Sequence, residues 1–389
     1  MTQRNWSVPE TEVVQRIRDR LDADGTDVLA TVVDIEGNAY RRPGAKMLLD
    51  AEGTGVGSIT AGCLEDELVQ VANEVRAAGE PRLVTYDLME DDEGDVWGLG
   101  VGCNGVIEVL LEPLTETYRP AVSAFADGRD VAVVTVLDGD DGPLERGDRA
   151  YYDPVDGSLS TPATDPAAWP ADALAGSAAD LAERGRAATV TVDGLTVFVD
   201  GLSAPPELVV FGTGHDVGPV TELAAKSDFR VTVVGFRGAV DLADQFPAAD
   251  RALTTSPASI ADDLTLGENT YAVVMTHNFV DDRLTVEALL DASVPYVGLM
   301  GPRDRFEEMR DAFDEEGRAF TEAELSALYT PVGLDLGGGS PYQIAHSIVA
   351  EVLAVANDRT PRHLKAREGP IHERVNVDAG ADADTGVPR

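Results

Sequence analysis

Two cysteines, the only ones in the 389-residue chain, both lie in glycine-rich stretches. Cys63 follows Gly62 in AGCLEDE, and Cys103 lies in GLGVGCNG between Gly102 and Gly105. Glycine lets the backbone turn sharply and approach a ligand closely. Free cysteines are more often small buried hydrophobic residues. The placement of Cys63 and Cys103 in glycine turns nevertheless favours a site in which both thiols contact a ligand.

The segment that follows Cys63 has the pattern of an amphipathic helix. Apolar residues recur every three or four positions from Leu64 to Val75, and Gly79 ends the pattern. A thiol just before a helix N-terminus is stabilised as the thiolate by the helix dipole, although two acidic residues in the first turn partly offset this. The spacing therefore predicts a reactive position for Cys63.

A cluster of cations precedes these turns. The segment RRPGAK (residues 41–46) places three positive charges on a turn, including Arg42 and Lys46 on either side of Gly44, in a chain with only 30 Lys and Arg against 70 Asp and Glu. We interpret the cluster as a site for an anion such as a phosphate. The alternative is local charge balance on an acidic surface.

A nucleotide-type turn follows the apolar run LVVF. Gly212, Gly214 and Gly218 form a dinucleotide fingerprint with one extra residue before the third glycine, in the required strand, turn and helix context. In NAD-binding domains an acid at the end of the next strand binds the ribose. At that position the chain has Gly235, and Arg237 lies two residues further on. Arg237 would instead meet a 2′-phosphate or an adenine face. The alternative is a nucleotide-type fold with a degenerate pocket.

Further polar groups lie where predicted parallel strands end. His215 belongs to the glycine turn, His277 follows YAVVMT, and Arg303 follows GLMGP. Open α/β sheets bind ligands at this edge, so His277 is a candidate acid or base. Gly338 and Gly339 precede the last predicted helix and suggest a second anion cradle. For each histidine a purely structural role is an equally good interpretation.

The charge of the chain limits its partners. A formal net charge of −40 disfavours nucleic acid and anionic membranes. Because apolar periodicity persists beneath the charge, we interpret it as an acidic surface adapted to a cytoplasm of high salt. No apolar run has the length of a membrane span, and MTQRNWSVPE has no signal-peptide pattern, which predicts a cytoplasmic protein. The cysteine spacing predicts neither a disulfide framework nor a metal site.

The positioning elements divide into two regions and a tail. Residues 1–204 have the pattern of a mixed α+β domain, with an N-terminal helix, several strands and an Asp-Gly hairpin at Asp193. In it, the Ala- and Pro-rich segment 160–185 is predicted to be a peripheral loop and helix. Residues 205–357 alternate short apolar runs with amphipathic helices, which predicts a parallel sheet covered on both faces. The last helix begins after Ser340, and residues 358–389 form a polar, disordered tail.

These motifs together resemble the xanthine dehydrogenase accessory protein family (XdhC/CoxI). The resemblance rests on RRPGAKM, GCLE, GLGVGCNG, FGTGH, VMTH, GLMGPR and PVGLDLGGGSP, which occur in the family's order and span most of the chain. Two departures are Asn104, where the family has glycine, and Gly235, where it usually has aspartate.

The resemblance implies a maturation factor for a molybdenum hydroxylase, with a Rossmann-like C-terminal domain. Such a protein binds molybdenum cofactor (molybdopterin), supports its sulfuration and delivers it to the apoenzyme. It further implies sulfur handling by Cys63 or Cys103, with a cysteine desulfurase as an additional partner. A homodimer is expected because the enzymes served are dimers.

Two other functions are compatible with the sequence. The first is an NAD(P)-dependent oxidoreductase that uses His277 or His215 near a nicotinamide. The second is a non-catalytic chaperone or adaptor whose Rossmann-like C-terminal domain only dimerises or docks the client enzyme. The missing acid at Gly235 weighs against NAD in the first of these.

Overall fold

The computed structural model describes residues 6–23, 25–37, 39–62, 64–87, 105–139, 142–238 and 241–366. These residues form two compact units, with the boundary between Ala204 and Pro205. Within the described part of the chain no helix is long and apolar enough to cross a membrane. The predicted tail is described only as far as residue 366.

The first unit begins with a five-stranded antiparallel sheet in the order β3-β2-β1-β5-β4. Helix α2 covers one face of this sheet through Leu68, Ala72 and Val75, and Gly79 in a left-handed conformation ends the helix as predicted. The elements are α1 (Glu10–Leu21), β1 (Val28–Gly37), β2 (Lys46–Leu49), β3 (Gly55–Gly57), α2 (Glu65–Ala78), β4 (Arg82–Asp87) and β5 (Gly105–Pro113).

A second antiparallel sheet completes this unit, in the order β8-β7-β6-β10-β9. Its last two strands form the predicted hairpin, in which Asp193 and Gly194 both have positive φ, the conformation that an Asp-Gly turn supplies. The elements are α3 (Arg119–Ala126), β6 (Val131–Asp138), β7 (Arg149–Asp153), β8 (Ser158–Ser160), α4 (Ala171–Glu183), β9 (Ala187–Val192) and β10 (Leu195–Leu202).

The prediction that the Ala- and Pro-rich segment is peripheral was wrong. Helix α4 packs on the second sheet, where Leu174, Ala178 and Leu181 are fully buried, and Trp169 just before the helix belongs to the same core. Small alanines allow this helix to approach the sheet closely, so a composition that looks like a linker forms the centre of a hydrophobic core.

Buried charges connect the two sheets of this unit. The Nζ atom of Lys46 on β2 lies 2.6 Å from an Asp200 carboxylate oxygen on β10, and both side chains are at most 10% exposed. Burial alone lowers the pKa of Lys46, but Asp200 more than offsets this, so the pKa lies above its usual value. A second buried pair joins Arg149 on β7 to Glu112 on β5.

Replacing Lys46 should therefore destabilise the unit. In Lys46→Met the Asp200 carboxylate is left buried without its partner, and we expect the free energy of unfolding to fall by about 3–5 kcal/mol. The double variant Lys46→Met, Asp200→Leu should recover most of the loss, because it leaves no buried charge. Denaturant unfolding at constant KCl measures both, with the exposed Arg129→Met as the control. Wild-type stability of the single variant would contradict the buried ion pair.

The second unit has a six-stranded parallel sheet in the order β13-β12-β11-β14-β15-β16. This is the strand order of a Rossmann fold, so the predicted α/β class with a parallel C-terminal sheet is confirmed. The strands are β11 (Glu207–Phe211), β12 (Arg230–Gly235), β13 (Arg251–Thr254), β14 (Thr270–Val274), β15 (Tyr296–Leu299) and β16 (Leu328–Tyr329).

Helices cover both faces of this sheet. Helices α5 and α11 pack on one face and α8 and α9 on the other, each over a separate hydrophobic cluster. Helix α11 begins with the predicted Ser340 cap, which Gln343 completes as a capping box. The helices are α5 (Val217–Ala225), α6 (Leu242–Gln245), α7 (Ile260–Asp263), α8 (Phe279–Asp291), α9 (Arg303–Glu315), α10 (Glu322–Leu325) and α11 (Pro341–Ala356).

The glycines of the predicted fingerprint differ in how much space surrounds them. Gly212 has φ +150°, and a Cβ there would lie 2.5 Å from the Met275 carbonyl oxygen, so the turn after β11 requires glycine. Gly218, inside α5, has no atom within 4 Å of an added Cβ. It therefore does not mediate the close helix packing that the third fingerprint glycine usually allows.

Alanine substitutions at these two positions should have opposite effects. We expect Gly212→Ala to lower the free energy of unfolding by at least about 1–3 kcal/mol, because it combines a backbone clash with an unfavourable φ. Gly218→Ala is the matched control and should be neutral or stabilising by up to about 1 kcal/mol, since alanine is the better helix former. Thermal unfolding of both variants provides the test, and equal melting temperatures would contradict this account.

Candidate functional site

The described parts of the predicted ligand segments of the first unit leave its first sheet toward one end. Met47 at the start of β2 pairs with Gly57 at the end of β3, so the cationic turn enters the sheet where the segment toward Cys63 leaves it. Gly37 at the end of β1 pairs with Gly105 at the start of β5, so β5 begins at the same end of the sheet. Antiparallel register thus directs three motifs that are distant in sequence toward one end of the sheet.

The loop that leads to Cys63 is held by a buried carboxylate. Glu65, the first residue of α2, is fully buried and accepts hydrogen bonds from the Thr60 amide at 3.0 Å, the Thr60 hydroxyl at 2.6 Å and the Leu64 amide at 3.1 Å. Between these anchors Gly62 is exposed with φ +114° and open space around it. The buried carboxylate thus fixes the loop from the protein interior, and Gly62 lies at the surface.

The sequence pattern does not distinguish Glu65 as an anchor, because an acid in the first turn of a helix is common. The sequence feature that could have indicated this role is Thr60, five residues earlier, whose amide and hydroxyl both donate to the carboxylate. Cys63, Gly102 and Cys103 lie outside the described residues, so their predicted roles remain predictions. Gly105 is buried at the start of β5.

Truncating Glu65 should loosen this loop. In Glu65→Ala the donors of Thr60 and Leu64 lose a charged acceptor, and we expect the free energy of unfolding to fall by about 1–3 kcal/mol. Amide hydrogen exchange of residues 60–64 should accelerate more than exchange in α4. The exposed neighbour Glu67→Ala is the control. Unchanged protection of the loop in Glu65→Ala would show that the carboxylate does not hold it.

The three cations of the turn have different environments. Arg42 is exposed and has no ion-pair partner among the described residues. Arg41 pairs with Glu10 of α1, and Lys46 is buried against Asp200. The charge of Lys46, which we predicted to bind an anion, is therefore neutralised within the unit, and Arg42 is the cation available to a ligand.

Gly44 provides the space for the Lys46 ion pair. It has φ +96°, and a Cβ there would lie 3.2 Å from both the Ala187 side chain and an Asp200 oxygen. The glycine of RRPGAK therefore serves the packing of the two sheets. Its predicted contact with a cofactor has no independent support in this geometry.

The second candidate site lies between β11 and β14, where the strand order of the parallel sheet reverses. Such switch points form the ligand crevice of open α/β sheets. The turn after β11 carries Gly214, His215 and Asp216, and the turn after β14 carries Thr276 and His277. His277 Nε2 lies 2.8 Å from an Asp216 carboxylate oxygen, so the two turns are joined across the crevice.

Asp216 was not predicted as a site residue. An Asp before a helix is a common cap, and its contact with His277 joins residues 61 positions apart. Gly214 makes room for this carboxylate, because a Cβ at position 214 would collide with the Asp216 oxygen. The second glycine of the fingerprint thus accommodates an acidic side chain of the chain itself.

The turn that carries His277 is held by buried polar contacts. His277 has φ +58°, which is uncommon for a residue other than glycine. The neighbouring Thr276 donates to Asp282 from its amide at 3.2 Å and from its hydroxyl at 2.5 Å, and Arg305 binds the other Asp282 oxygen at 2.5 Å. Asn278 caps α8 through two amides. These contacts fix the backbone on both sides of His277.

Other predicted residues of this unit lie around the same sheet edge. His215 is exposed, and neither it nor the exposed Arg303 has a hydrogen-bond or ion-pair partner among the described side chains. Arg237 is exposed and pairs with Asp281 at 3.0 Å. At Gly235 an added Cβ would lie 2.9 Å from Thr213 and 3.1 Å from Leu242. The position of the missing acid therefore has little room for a side chain.

The predicted second anion cradle is filled by the chain. The Gln343 side-chain oxygen accepts hydrogen bonds from the amides of Gly339 at 3.1 Å and Ser340 at 3.2 Å. A Cβ at Gly338 would lie 2.5 Å from the Gln343 Cβ. These glycines let Gln343 fold back over the start of α11, so the amides of Gly339 and Ser340 are already occupied and do not offer a site to an anion.

Comparisons with known proteins agree with this architecture. The model of the XdhC and CoxI family matches residues 11–87, which include the cationic turn and the loop toward Cys63. The model of the XdhC Rossmann domain matches residues 208–352, which include the crevice with Asp216 and His277. The first match includes the cationic turn but ends before Gly105, and the second includes both turns of the crevice.

Two of the relatives that this chain resembles cover most of its length. A probable xanthine dehydrogenase subunit from Bacillus subtilis strain 168 is 29% identical over 335 residues, which cover 84% of this chain and 92% of the relative. A crystal structure of a xanthine dehydrogenase from Bacillus halodurans has a TM-score of 0.70 at 28% identity and covers 90% of this chain and 96% of its own. The uncharacterized protein YqeB of Escherichia coli K12 is 25% identical over 195 residues, 50% of this chain and 35% of that protein.

The fold and these matches define a class of two-unit proteins, in which an N-terminal unit of antiparallel sheets carries glycine-rich turns and the C-terminal unit has a Rossmann fold. The chain belongs to the XdhC and CoxI family, as the resemblance predicted. Membership of this family supports an accessory role for xanthine dehydrogenase.

Proposed function

We propose that the protein is a maturation factor for a molybdenum hydroxylase of the xanthine dehydrogenase or CO dehydrogenase type. In this proposal it binds molybdenum cofactor, assists its sulfuration and supports its insertion into the apoenzyme. The observation that carries the proposal is the register of the first sheet, which brings the cationic turn and the segments next to both cysteines to one end.

The residues at this end fit part of the cofactor. Molybdopterin offers a phosphate and a dithiolene that holds the metal. Arg42 is exposed and unpaired among the described residues, so its guanidinium can bind a phosphate in a bidentate manner. Gly62 leaves its turn open, which permits close approach of a ligand to the backbone. Lys46 does not fit this role, because Asp200 already neutralises it.

Sulfur handling belongs to Cys63 and Cys103 in this proposal, because they are the only thiols of the chain. The Glu65 anchor closes the loop next to Cys63 and keeps the adjoining Gly62 at the surface. In this proposal Cys63, the next residue after Gly62, receives sulfur from a donor such as a cysteine desulfurase. A homodimer that serves a dimeric client enzyme, in a cytoplasm of high salt, completes the proposal.

The alternative function is an NAD(P)-dependent oxidoreductase. The strand order and the glycine turn after β11 favour it, since both are typical of dinucleotide-binding domains. Gly235 and the carboxylate of Asp216 in the turn argue against it, because an acid is missing where ribose would bind and present where pyrophosphate would bind. An adaptor without cofactor binding is the second alternative.

Cofactor titration tests the proposed function. The purified protein, without oxygen and in multimolar KCl, is mixed with molybdenum cofactor released from a donor enzyme, and bound pterin is measured by fluorescence after filtration. We expect stoichiometric retention. Arg42→Ala should weaken it about tenfold or more, as expected for loss of a charge-assisted bidentate contact, and Cys63→Ala should also reduce it.

Arg129→Ala, an exposed arginine outside the turn, is the matched control and should retain the cofactor normally. A double Cys63→Ala, Cys103→Ala protein should fail to activate the client enzyme even where it retains pterin. Full activation by the double variant would remove the sulfur role. Absence of cofactor retention together with saturable binding of NADPH would favour the oxidoreductase.

A further inference from the structure

The crevice of the C-terminal unit holds a carboxylate and an imidazole in the turn that a dinucleotide-binding fold keeps free for pyrophosphate. We propose that Asp216 and His277 form an acid–base site at this switch point, which takes a neutral or cationic, proton-donating ligand and excludes dinucleotides. The site lies in a different unit from the proposed cofactor site and does not depend on it.

The geometry assigns a role to each ring nitrogen of His277. Nε2 lies 2.8 Å from an Asp216 carboxylate oxygen. In the neutral ring Nε2 carries the proton and donates a hydrogen bond to this oxygen. Nδ1 then carries the lone pair, and it has no partner among the described residues while the side chain is 58% exposed. The nitrogen that can accept a proton is therefore the one that a ligand can reach.

Asp216 is the positioning residue of this pair. A carboxylate that holds one nitrogen of an imidazole selects its tautomer and stabilises the cation that forms when the other nitrogen takes a proton. In the proposed step the O–H, N–H or S–H bond of the ligand breaks, an Nδ1–H bond forms, and the electron pair stays on the ligand. No oxidant or further reactant is required.

The backbone around His277 is arranged to keep this contact. A left-handed conformation at a residue other than glycine costs of order 1–3 kcal/mol and persists where surrounding structure enforces it, which is common at functional sites. Here Asp282 is 1% exposed and binds Thr276 on one side of His277, with Arg305 neutralising its charge.

The fingerprint glycines also serve the pair. Gly212 allows the turn after β11 to pass the carbonyl of Met275, which immediately precedes Thr276 and His277. Gly214 leaves space for the Asp216 carboxylate, and the nearest His277 carbon would be 3.7 Å from a Cβ at that position. Two glycines that resemble a phosphate signature are thus explained by contacts within the chain.

The charge of the crevice determines the class of ligand. A pyrophosphate at the start of α5 would meet the carboxylate of Asp216 at contact distance, and like charges there repel. Arg237 offers little compensation because Asp281 pairs with it. A neutral or cationic ligand avoids this repulsion and can donate its proton to His277.

Dinucleotide binding provides the first test. Isothermal titration calorimetry with NADH, NADPH and inorganic pyrophosphate as probes should detect no saturable binding to the full-length protein. Asp216→Asn keeps a hydrogen-bond acceptor for His277 but removes the charge, and we expect its affinity for at least one probe to rise about tenfold or more. Asp228→Asn is the control and should have no effect. It makes the same change in the connection between α5 and β12, at the opposite ends of the strands.

Two results would overturn the proposal. One is wild-type binding of NADPH or pyrophosphate that equals or exceeds binding to Asp216→Asn. The other is the absence of any gain in that variant, since the carboxylate would then not be what excludes the probes. Neither result depends on whether the N-terminal unit retains molybdenum cofactor, so the two functions are tested separately.

Reactivity of His277 provides a second, independent measurement. Diethyl pyrocarbonate acylates an unprotonated imidazole nitrogen, and mass spectrometry of peptides reports each histidine. In alkaline solution, where protonation does not compete with the reagent, Asp216 stabilises the positive charge that develops as Nδ1 attacks, so His277 should react faster than the exposed His215. In Asp216→Asn the His277 rate should fall about threefold or more, while His215 is unchanged. Equal rates for both histidines in the wild type, or no change in the variant, would contradict the assigned role.

Discussion

Strand β1 is hydrogen-bonded on both sides, to β2 over residues 28–31 and to β5 over residues 28–37. A shift of either pairing by one residue would turn every buried side chain of this sheet toward the opposite face. The core therefore enforces a single register. The same register decides which loops leave the sheet at this end, so the packing of apolar side chains such as Val32 and Val109 also directs the cationic turn with Arg42 and the segment that leads to Gly62 toward it.

The polar and charged residues of the two candidate sites and their supports fall into two groups that sequence alone does not separate. Lys46, Glu65 and Asp282 are almost completely buried and hold loops or sheets through ion pairs and hydrogen bonds. Arg42 and His277 are exposed and are supported by that first group. A buried charge is costly unless it is paired, which is why the supporting residues have well-defined partners. The exposed residues remain available to ligands.

The two units offer different chemistry. The end of the first sheet in the first unit carries an exposed guanidinium and an open glycine turn, which suit an anionic cofactor. The crevice of the second unit presents a carboxylate bound to an imidazole, which suits a ligand that donates a proton. The Rossmann fold of the second unit does not by itself imply a bound dinucleotide, because function depends on the side chains placed at the switch point.

Much of the fold could be predicted from the sequence, because its signals are local. The parallel sheet, the Asp193 hairpin and the Ser340 cap each depend on residues within a few positions of one another, and the family resemblance rests on short motifs in a fixed order. The role of α4 was missed, since alanine composition does not reveal what a helix packs against. Only the tertiary structure paired Lys46 with Asp200 and His277 with Asp216. Those contacts join distant parts of the chain, and sheet register and strand order, not local sequence, bring such residues together.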